Sequence, residues 1–366
     1  MSGVWGKQLE LSIFGESHGN GIGMVINGLP SGFAIDIEEI NREMQRRAPG
    51  KDNFSTTRNE QDLPQILSGI FKGKTTGTPL CCFITNKDNH SSDYSLMEQV
   101  MRPGHGDYPG FIRYQGANDY RGGGHFSGRL TAPLVFCGAI CKQILKEKGI
   151  YIGAHIKQIG NVRDISFNLG SITREMLSDL TKETFPVLDQ NKVVCMQEEI
   201  LSVKSEGDSV GGIVECAAIG LPAGIGDPFF DSVESTLAHL LFSIPAIKGV
   251  EFGLGFEMAE KKGSECNDSY YYEGDQVKAK TNYNGGILGG ITNGMPIVFR
   301  SVIKPTPSIS KEQATINIKT QQNTTLSISG RHDACIVQRA LPVIEAVCAI
   351  GIYECMKRRD TDGIGK

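Results

Sequence analysis

The sequence lacks several signatures, and each absence removes a class of function. No C-x-x-C occurs among the ten cysteines, which removes the commonest zinc and dithiol spacings; in a chain this long most of the ten are expected as buried reduced thiols. The seven histidines show no metal-ligand spacing, and H-E-x-x-H is absent, so no metal site is expected. G-x-x-x-x-G-K-[ST] is missing too, which argues against P-loop phosphoryl transfer, and GNGIG at 19–23 does not complete a dinucleotide fingerprint. The net charge is -4 with a pI near 6.0. No basic stripe is long enough for a nucleic-acid polymer. No apolar run approaches the roughly 18 residues of a membrane span, and no basic segment leads into an apolar one near the start. A reducing, cytoplasmic setting is the expectation. No Pro- or Ser-rich linker and no repeat divides the chain, so residues 1–366 are expected as one domain, with about the last ten residues as a loose tail.

Glycine is plentiful: 45 of 366 residues, well above the ~7% of an average chain. It is scattered without a Gly-X-Y period, which reads as tight turns and close backbone approaches. Between the glycines, residues 8–14 and 22–27 read as strands around the loop GESHGNG. DIEEINREMQRR reads as a helix, with Asp36 and Glu39 as a capping box, Ile37, Ile40 and Met44 on one face and Arg46 and Arg47 at the end. QILSGIF and PLCCFIT read as a hairpin joined by KGKTTG. A loop region over 86–126, with a short helix near YSLMEQVM, is long enough to imply a role of its own. A central helix follows from about Ser127, apolar on most faces. Further strands and helices are mixed without a βαβ rhythm, then comes a polar segment over 306–330 and a long apolar helix to the C-terminal region. The expectation is an α+β fold.

Four loops put glycine beside ionisable residues: FGESHGNG with Glu16, Ser17 and His18; RPGHGDY with Arg102, His105 and Asp107; YRGGGHFSGR with Arg121, His125, Ser127 and Arg129; and SGRHD with Arg331, His332 and Asp333. Glycine lets backbone N–H groups approach a ligand, and a helix start behind the loop adds partial positive charge. Converging arginines suit phosphate and carboxylate groups. Each residue also has a plain reading: His18 and His105 as structural histidines, GGILGG as a turn pair, Arg46 and Arg47 as partners of the helix dipole. Ser17 stands in a string suggestive of a nucleophile elbow, but a hydrolase triad is not the favoured reading. Together the loops point to a cationic, glycine-lined site for a small phosphorylated and carboxylated molecule.

The blocks GESHGNGIGMVINGLPSG, RPGHGDY, DYRGGGHFSGRLTA, IPAIKGVEFGLGF, GGILGGITNG, KPTPSI and GRHDACIVQRALPVIEA resemble, in order, those of the chorismate synthase family. The resemblance covers nearly the whole chain. It implies a β-α-β-α sandwich, usually a homotetramer. It also implies conversion of 5-enolpyruvylshikimate 3-phosphate to chorismate, by anti-1,4 elimination of phosphate and a C6 hydrogen with reduced FMN and no net redox change. His18 then corresponds to the histidine that protonates departing phosphate, and His105 to the one that protonates the reduced ring. Asp333, with Ser17 as relay, corresponds to the carboxylate near flavin N5. Arg47, Arg102, Arg129 and Arg331 correspond to substrate arginines. His125, Phe126, Ser127, Pro245, Ala246, Gly289, Lys304, Pro305, Thr306, Pro307, Ser308 and Arg331 correspond to flavin contacts.

The chain also departs from the family pattern. Many members have Arg-Ser-Ser-Ala-Arg-Glu where His125–Leu130 stand, arginines where Ala48 and Asn53 stand, and some have Asn where Pro245 stands. NADPH enters only as a candidate reductant. The rival readings are a flavin enzyme for another phosphorylated substrate and a binding protein that senses flavin or a phosphorylated metabolite without chemistry.

Overall fold

A computed structural model describes residues 3–48, 62–87, 96–169, 171–328 and 333–361. Its first sheet has the order β1-β2-β3-β7-β4, from β1 (Val4–Trp5), β2 (Glu10–Gly15), β3 (Gly21–Asn27), β4 (Gln65–Ser68) and β7 (Leu80–Thr85). Two-residue alternation decides its buried face: Ile22, Met24 and Ile26 of β3 lie opposite Ile84, Cys82 and Leu80 of β7, and all six are buried. The β4–β7 pairing matches the expected hairpin, except that β5 (Ile70–Phe71) and β6 (Lys74–Thr75) fold into a small hairpin of their own between them.

The second sheet has the order β11-β16-β10-β8-β9, from β8 (Tyr151–Ile159), β9 (Val162–Arg163), β10 (Gly212–Ile219), β11 (Ile247–Phe252) and β16 (Ile297–Ile303). Between the sheets lie α1 (Ile37–Arg47), α3 (Thr131–Glu147), α6 (Val233–Ser243) and α8 (Val337–Thr361). Gly138 of α3 lets that helix meet α8 at close range, since a Cβ there would stand 2.3 Å from that of Ala346. On the outer face of the second sheet pack α4 (Arg174–Leu180) and α5 (Lys192–Ser205). The layers are sheet, helices, sheet, helices: the expected β-α-β-α sandwich. Among the described residues no helix is long and apolar enough to cross a membrane.

Several local expectations need correction. Asp36 does cap α1, accepting from Glu39 N at 3.0 Å, but the Glu39 carboxylate turns to Lys146 at 3.3 Å, so the capping box is half made. Ile40 and Met44 are buried while Ile37 is 40% exposed, because the first turn of α1 overhangs the core. The expected helix near YSLMEQVM is a single 3-10 turn at 96–98. The polar segment holds a hairpin, β17 (Gln313–Asn317) and β18 (Gln322–Leu326), whose Leu326 packs with Met97 and Val100. Two other hairpins were not expected: β12 (Tyr270–Glu273) with β13 (Gln276–Ala279), and β14 (Ile287–Leu288) with β15 (Ile291–Thr292). The last helix runs to Thr361, which shortens the expected loose tail; residues 362–366 lie outside the described residues. Seven of the ten cysteines are buried, and none is in a disulfide.

Candidate active site

The three consecutive glycines of YRGGGHFSGR are used as glycine. Gly122, Gly123 and Gly124 have φ of 57°, 85° and 52°, in the left-handed region that an L side chain avoids. Space is also lacking. A Cβ on Gly122 would fall 2.2 Å from the His18 ring, one on Gly123 3.2 Å from the His105 ring, and one on Gly124 2.0 Å from the Asp119 carbonyl oxygen. The loop therefore threads bare backbone between the two histidines. His18 and Ser17 come from the β2–β3 turn, both buried, and Ser17 N donates to Gly124 O at 3.1 Å. Gly15–Gly19 does spell G-x-S-x-G, but Ser17 lies in a β-hairpin turn rather than between a strand and a helix, so no nucleophile elbow is built.

His105 stands just ahead of α2 (Asp107–Arg113). Its Nδ1 lies 2.6 Å from Asp107 Oδ1, while Arg102 reaches the same carboxylate through Nε at 2.6 Å and Nη2 at 2.8 Å. Burial pushes the Asp107 carboxyl up, but Arg102 and His105 outweigh it and hold the group well below the usual carboxylate range. A carboxylate at Nδ1 fixes the proton there, which leaves Nε2 toward Gly123.

These groups adjoin a cavity of about 750 Å³, in the upper part of the usual range for ligand sites. Arg47, Arg102 and Arg129 line it, as do His105, His125, Phe126, Ser127 and Asp333. Pro245, Ala246, Lys304, Thr306, Pro307 and Ser308 line it too, and Arg102 Nη1 donates to Ser308 Oγ at 3.4 Å. Four expected residues are elsewhere. Ser17 and His18 sit one layer behind Gly122. Pro305 is exposed beside the wall, and Gly289 occupies the exposed turn between β14 and β15. Arg331, and with it His332 and Asn53, lie outside the described residues. His125 Nδ1 donates to Gly15 O at 2.9 Å. Asp333 accepts from Arg339 Nη1 at 2.5 Å, and Arg339 Nε also donates to Arg47 O at 3.3 Å. Ala246, at φ 76°, is held in a strained conformation on the wall, of the kind that clusters at functional sites. Its carbonyl accepts from Lys304 N at 2.9 Å.

Residue-by-residue reading missed Asp62, Asn86, Lys248 and Arg339. Asp62 and Asn86 stand in no glycine loop, and Arg339 looked like one turn of an apolar helix. Lys248 sits in a strand. Burial, then the nearby Lys248 charge, lower the Lys304 ammonium, so two like charges share one wall of the cavity.

The chorismate synthase family model matches residues 9–356. Chorismate synthase of Thermococcus kodakarensis is 46% identical over 354 residues, covering 97% of each chain. That of Pyrococcus abyssi is 49% identical over 344 residues, covering 94% of each. The chain belongs to the chorismate synthase family. A crystal structure of chorismate synthase superposes with a TM-score of 0.77 at 31% identity, over 97% of this chain and 93% of that one. The enzyme is thus a lyase that eliminates phosphate from 5-enolpyruvylshikimate 3-phosphate to give chorismate, the last common step toward the aromatic amino acids. The family implies a flavin, and the cavity suits one. Phe126, Ile244, Pro245, Ala246 and Val343 give an apolar wall for a ring system, and the Lys248–Lys304 pair gives a place for an anion.

Proposed function

We propose that the cavity holds reduced FMN and substrate together. The observation that supports this best is one cavity bearing four arginines, a lysine pair and apolar side chains, with two histidines flanking its glycine loop. His125, Phe126, Ser127 and the 245–246 and 304–308 segments take the flavin side. Arg47, Arg102, Arg129 and Arg331 take the substrate's phosphate and two carboxylates, where charge-assisted bonds in a partly dry site are strongest. The C6 hydrogen is only weakly acidic, so a side-chain base alone would be slow. Reduced flavin, held on that side, would supply a transient electron for C–O cleavage and a place for the C6 hydrogen to go, with no net redox change.

The protein's own work is placement and proton control. His18, buried behind Gly122, delivers a proton to the departing phosphate. His105, with its Nδ1–H held by Asp107, presents Nε2 to the cofactor side, where its imidazolium form, stabilised by the same carboxylate, is the proton donor. Asp333, anchored by Arg339, is the carboxylate near the flavin. Ser17 lies with His18 rather than on the wall with Asp333, so a Ser17 relay would run through the glycine loop.

We further propose a cytoplasmic homotetramer of one cooperative domain, with NADPH as a candidate reductant. The almost fully exposed Phe229 and Phe230 support an assembly larger than the single chain.

The test is anaerobic: enzyme, FMN, dithionite and 5-enolpyruvylshikimate 3-phosphate, with chorismate absorbance and phosphate release followed together. Product only with reduced flavin is the expected result. Turnover at the same rate with oxidised flavin, or with none, would overturn the cofactor assignment. Replacing dithionite by NADPH then decides the reductant.

A further inference from the structure

Asp62 does not line the cavity, yet it sits between two of the arginines that do. Its side chain is fully buried, and those of Arg47 and Arg129 are 4% and 8% exposed. Asp62 Oδ2 accepts from Arg47 Nη1 at 2.5 Å, and Oδ1 accepts from Arg129 Nη1. Each guanidinium is also fixed on another side. Arg47 donates through Nε to Thr131 Oγ1 at 3.1 Å and through Nη2 to Gly128 O at 3.2 Å. Arg129 Nε donates to Asn86 Oδ1 at 3.0 Å. Asn86 Nδ2 in turn donates to Glu16 O and Gly19 O, both at 3.0 Å. One carboxylate therefore ties the end of α1 to the turn ahead of α3 and, through Asn86, to the turn that carries Ser17 and His18. Asp62 holds φ at 49°, a conformation Asp tolerates better than most side chains.

By charge count this acid works against the site, since it cancels one of two positive charges that an anion would meet. Geometry argues the other way. Two nearly buried guanidiniums on one cavity repel each other, and a carboxylate that accepts one N–H from each holds them side by side. We propose that Asp62 is a positioning residue of the substrate site: it bridges Arg47 and Arg129 so that both present to the substrate at a fixed spacing, and this outweighs the charge it cancels. The proposal rests on the reading that these arginines bind substrate.

The test measures binding of 5-enolpyruvylshikimate 3-phosphate to the FMN-loaded, unreduced enzyme by calorimetry, for Asp62→Asn, Arg129→Gln and the double variant. Arg129→Gln is expected to raise Kd by at least about tenfold, the loss of one charge-assisted bond. Asp62→Asn is expected to raise it comparably although it adds net positive charge, and to add little in the Arg129→Gln background. In turnover the Asp62→Asn change should appear in KM more than in kcat. Asp62→Glu, which keeps the charge but moves it by one methylene, should give an intermediate Kd, and it carries the test alone where Asp62→Asn fails to fold. An unchanged Kd in Arg129→Gln would overturn the assignment of the arginines. With that assignment intact, Asp62→Asn binding as tightly as wild type, an equal loss in both backgrounds, or a wild-type Kd in Asp62→Glu would overturn the role of Asp62.

Discussion

Arg46 and Arg47 are consecutive at the end of α1 and enter two different ion clusters. Arg47 meets Asp62 and Arg129 at the cavity wall. Arg46 turns into the helical layer, where its Nη1 and Nη2 donate to Glu345 of α8 at 2.6 and 2.9 Å. Lys142 of α3 reaches the same carboxylate at 2.5 Å, and Ala154 N of β8 donates to it at 3.1 Å. In each a fully buried carboxylate holds two cations, with Glu43 as a second carboxylate on Arg46 and Lys142 at 3.0 and 2.8 Å, but the clusters differ in what lies beyond. The Glu345 cluster sits among α1, α3, α8 and β8 and locks the layers together, with only Arg46 of its residues lining a small second cavity of about 190 Å³. The Asp62 cluster opens on a cavity, so the same bonds that hold it can orient a ligand. Neighbouring residues on a helix point about 100° apart, which is why a single Arg-Arg pair can serve both.

The most damaging change should be Glu345→Gln, which removes the fully buried charge and leaves Arg46 and Lys142 with Glu43 as their one remaining partner there. Breaking a buried pair of this kind costs about 3–5 kcal/mol, read as a fall in the urea midpoint. Substrate Kd in the fraction that remains folded should hold; a large rise there would mean the two clusters are coupled rather than separate. Next, His18→Ala and His105→Ala should each lower kcat by about 10²–10⁴-fold, the range for general acid catalysis, with substrate Kd changed far less. Full turnover in either variant would remove its proton role.

Asp107→Asn should be milder, because it leaves the His105 ring in place but loosens its tautomer and the hold on Arg102. A kcat loss of about tenfold in steady-state assays is the expected scale for a positioning group short of the full acid term, and no loss would mean Gly123 alone orients the ring.

The core cluster should also show in pH dependence. Burial pushes the Glu345 carboxyl up, but Arg46 and Lys142 outweigh it and bring it from the usual 4.5 down to about 2. A depressed carboxyl stabilises above its unfolded pKa and loses that contribution as pH falls through the folded one. Wild-type stability should thus drop between about pH 4.5 and 2 more steeply than that of Glu345→Gln in matched urea titrations. Equal slopes would place the acid sensitivity elsewhere. The smallest effect should come from Lys182→Ala, which removes an ion pair with Asp179 whose partners are 68% and 71% exposed. A shift above about 1 kcal/mol in thermal unfolding would contradict the weakness of surface pairs.

The strands with clean alternation, such as β3 and β7, and the apolar helices α3 and α8 were legible because burial imposes a period on the residues themselves. The β17–β18 hairpin was not, since its Gln, Asn and Thr side chains mostly face water and only Leu326 is buried. The site was legible to the extent that glycine beside His or Arg marks a loop built for approach. Asp62 and Asn86 carry no such mark, because their roles come from what lies across the fold.

By itself the amino-acid sequence determined the family, the two glycine-flanked histidines and the inventory of cations for a phosphorylated, carboxylated substrate, since these depend on residue types in short runs. Only the tertiary structure decided which cations face the cavity, that the triple glycine runs between His18 and His105, and that one buried carboxylate joins Arg47 to Arg129. Such pairings join residues 15 to 104 positions apart, and no local pattern encodes which distant side chain will close a buried charge's hydrogen bonds.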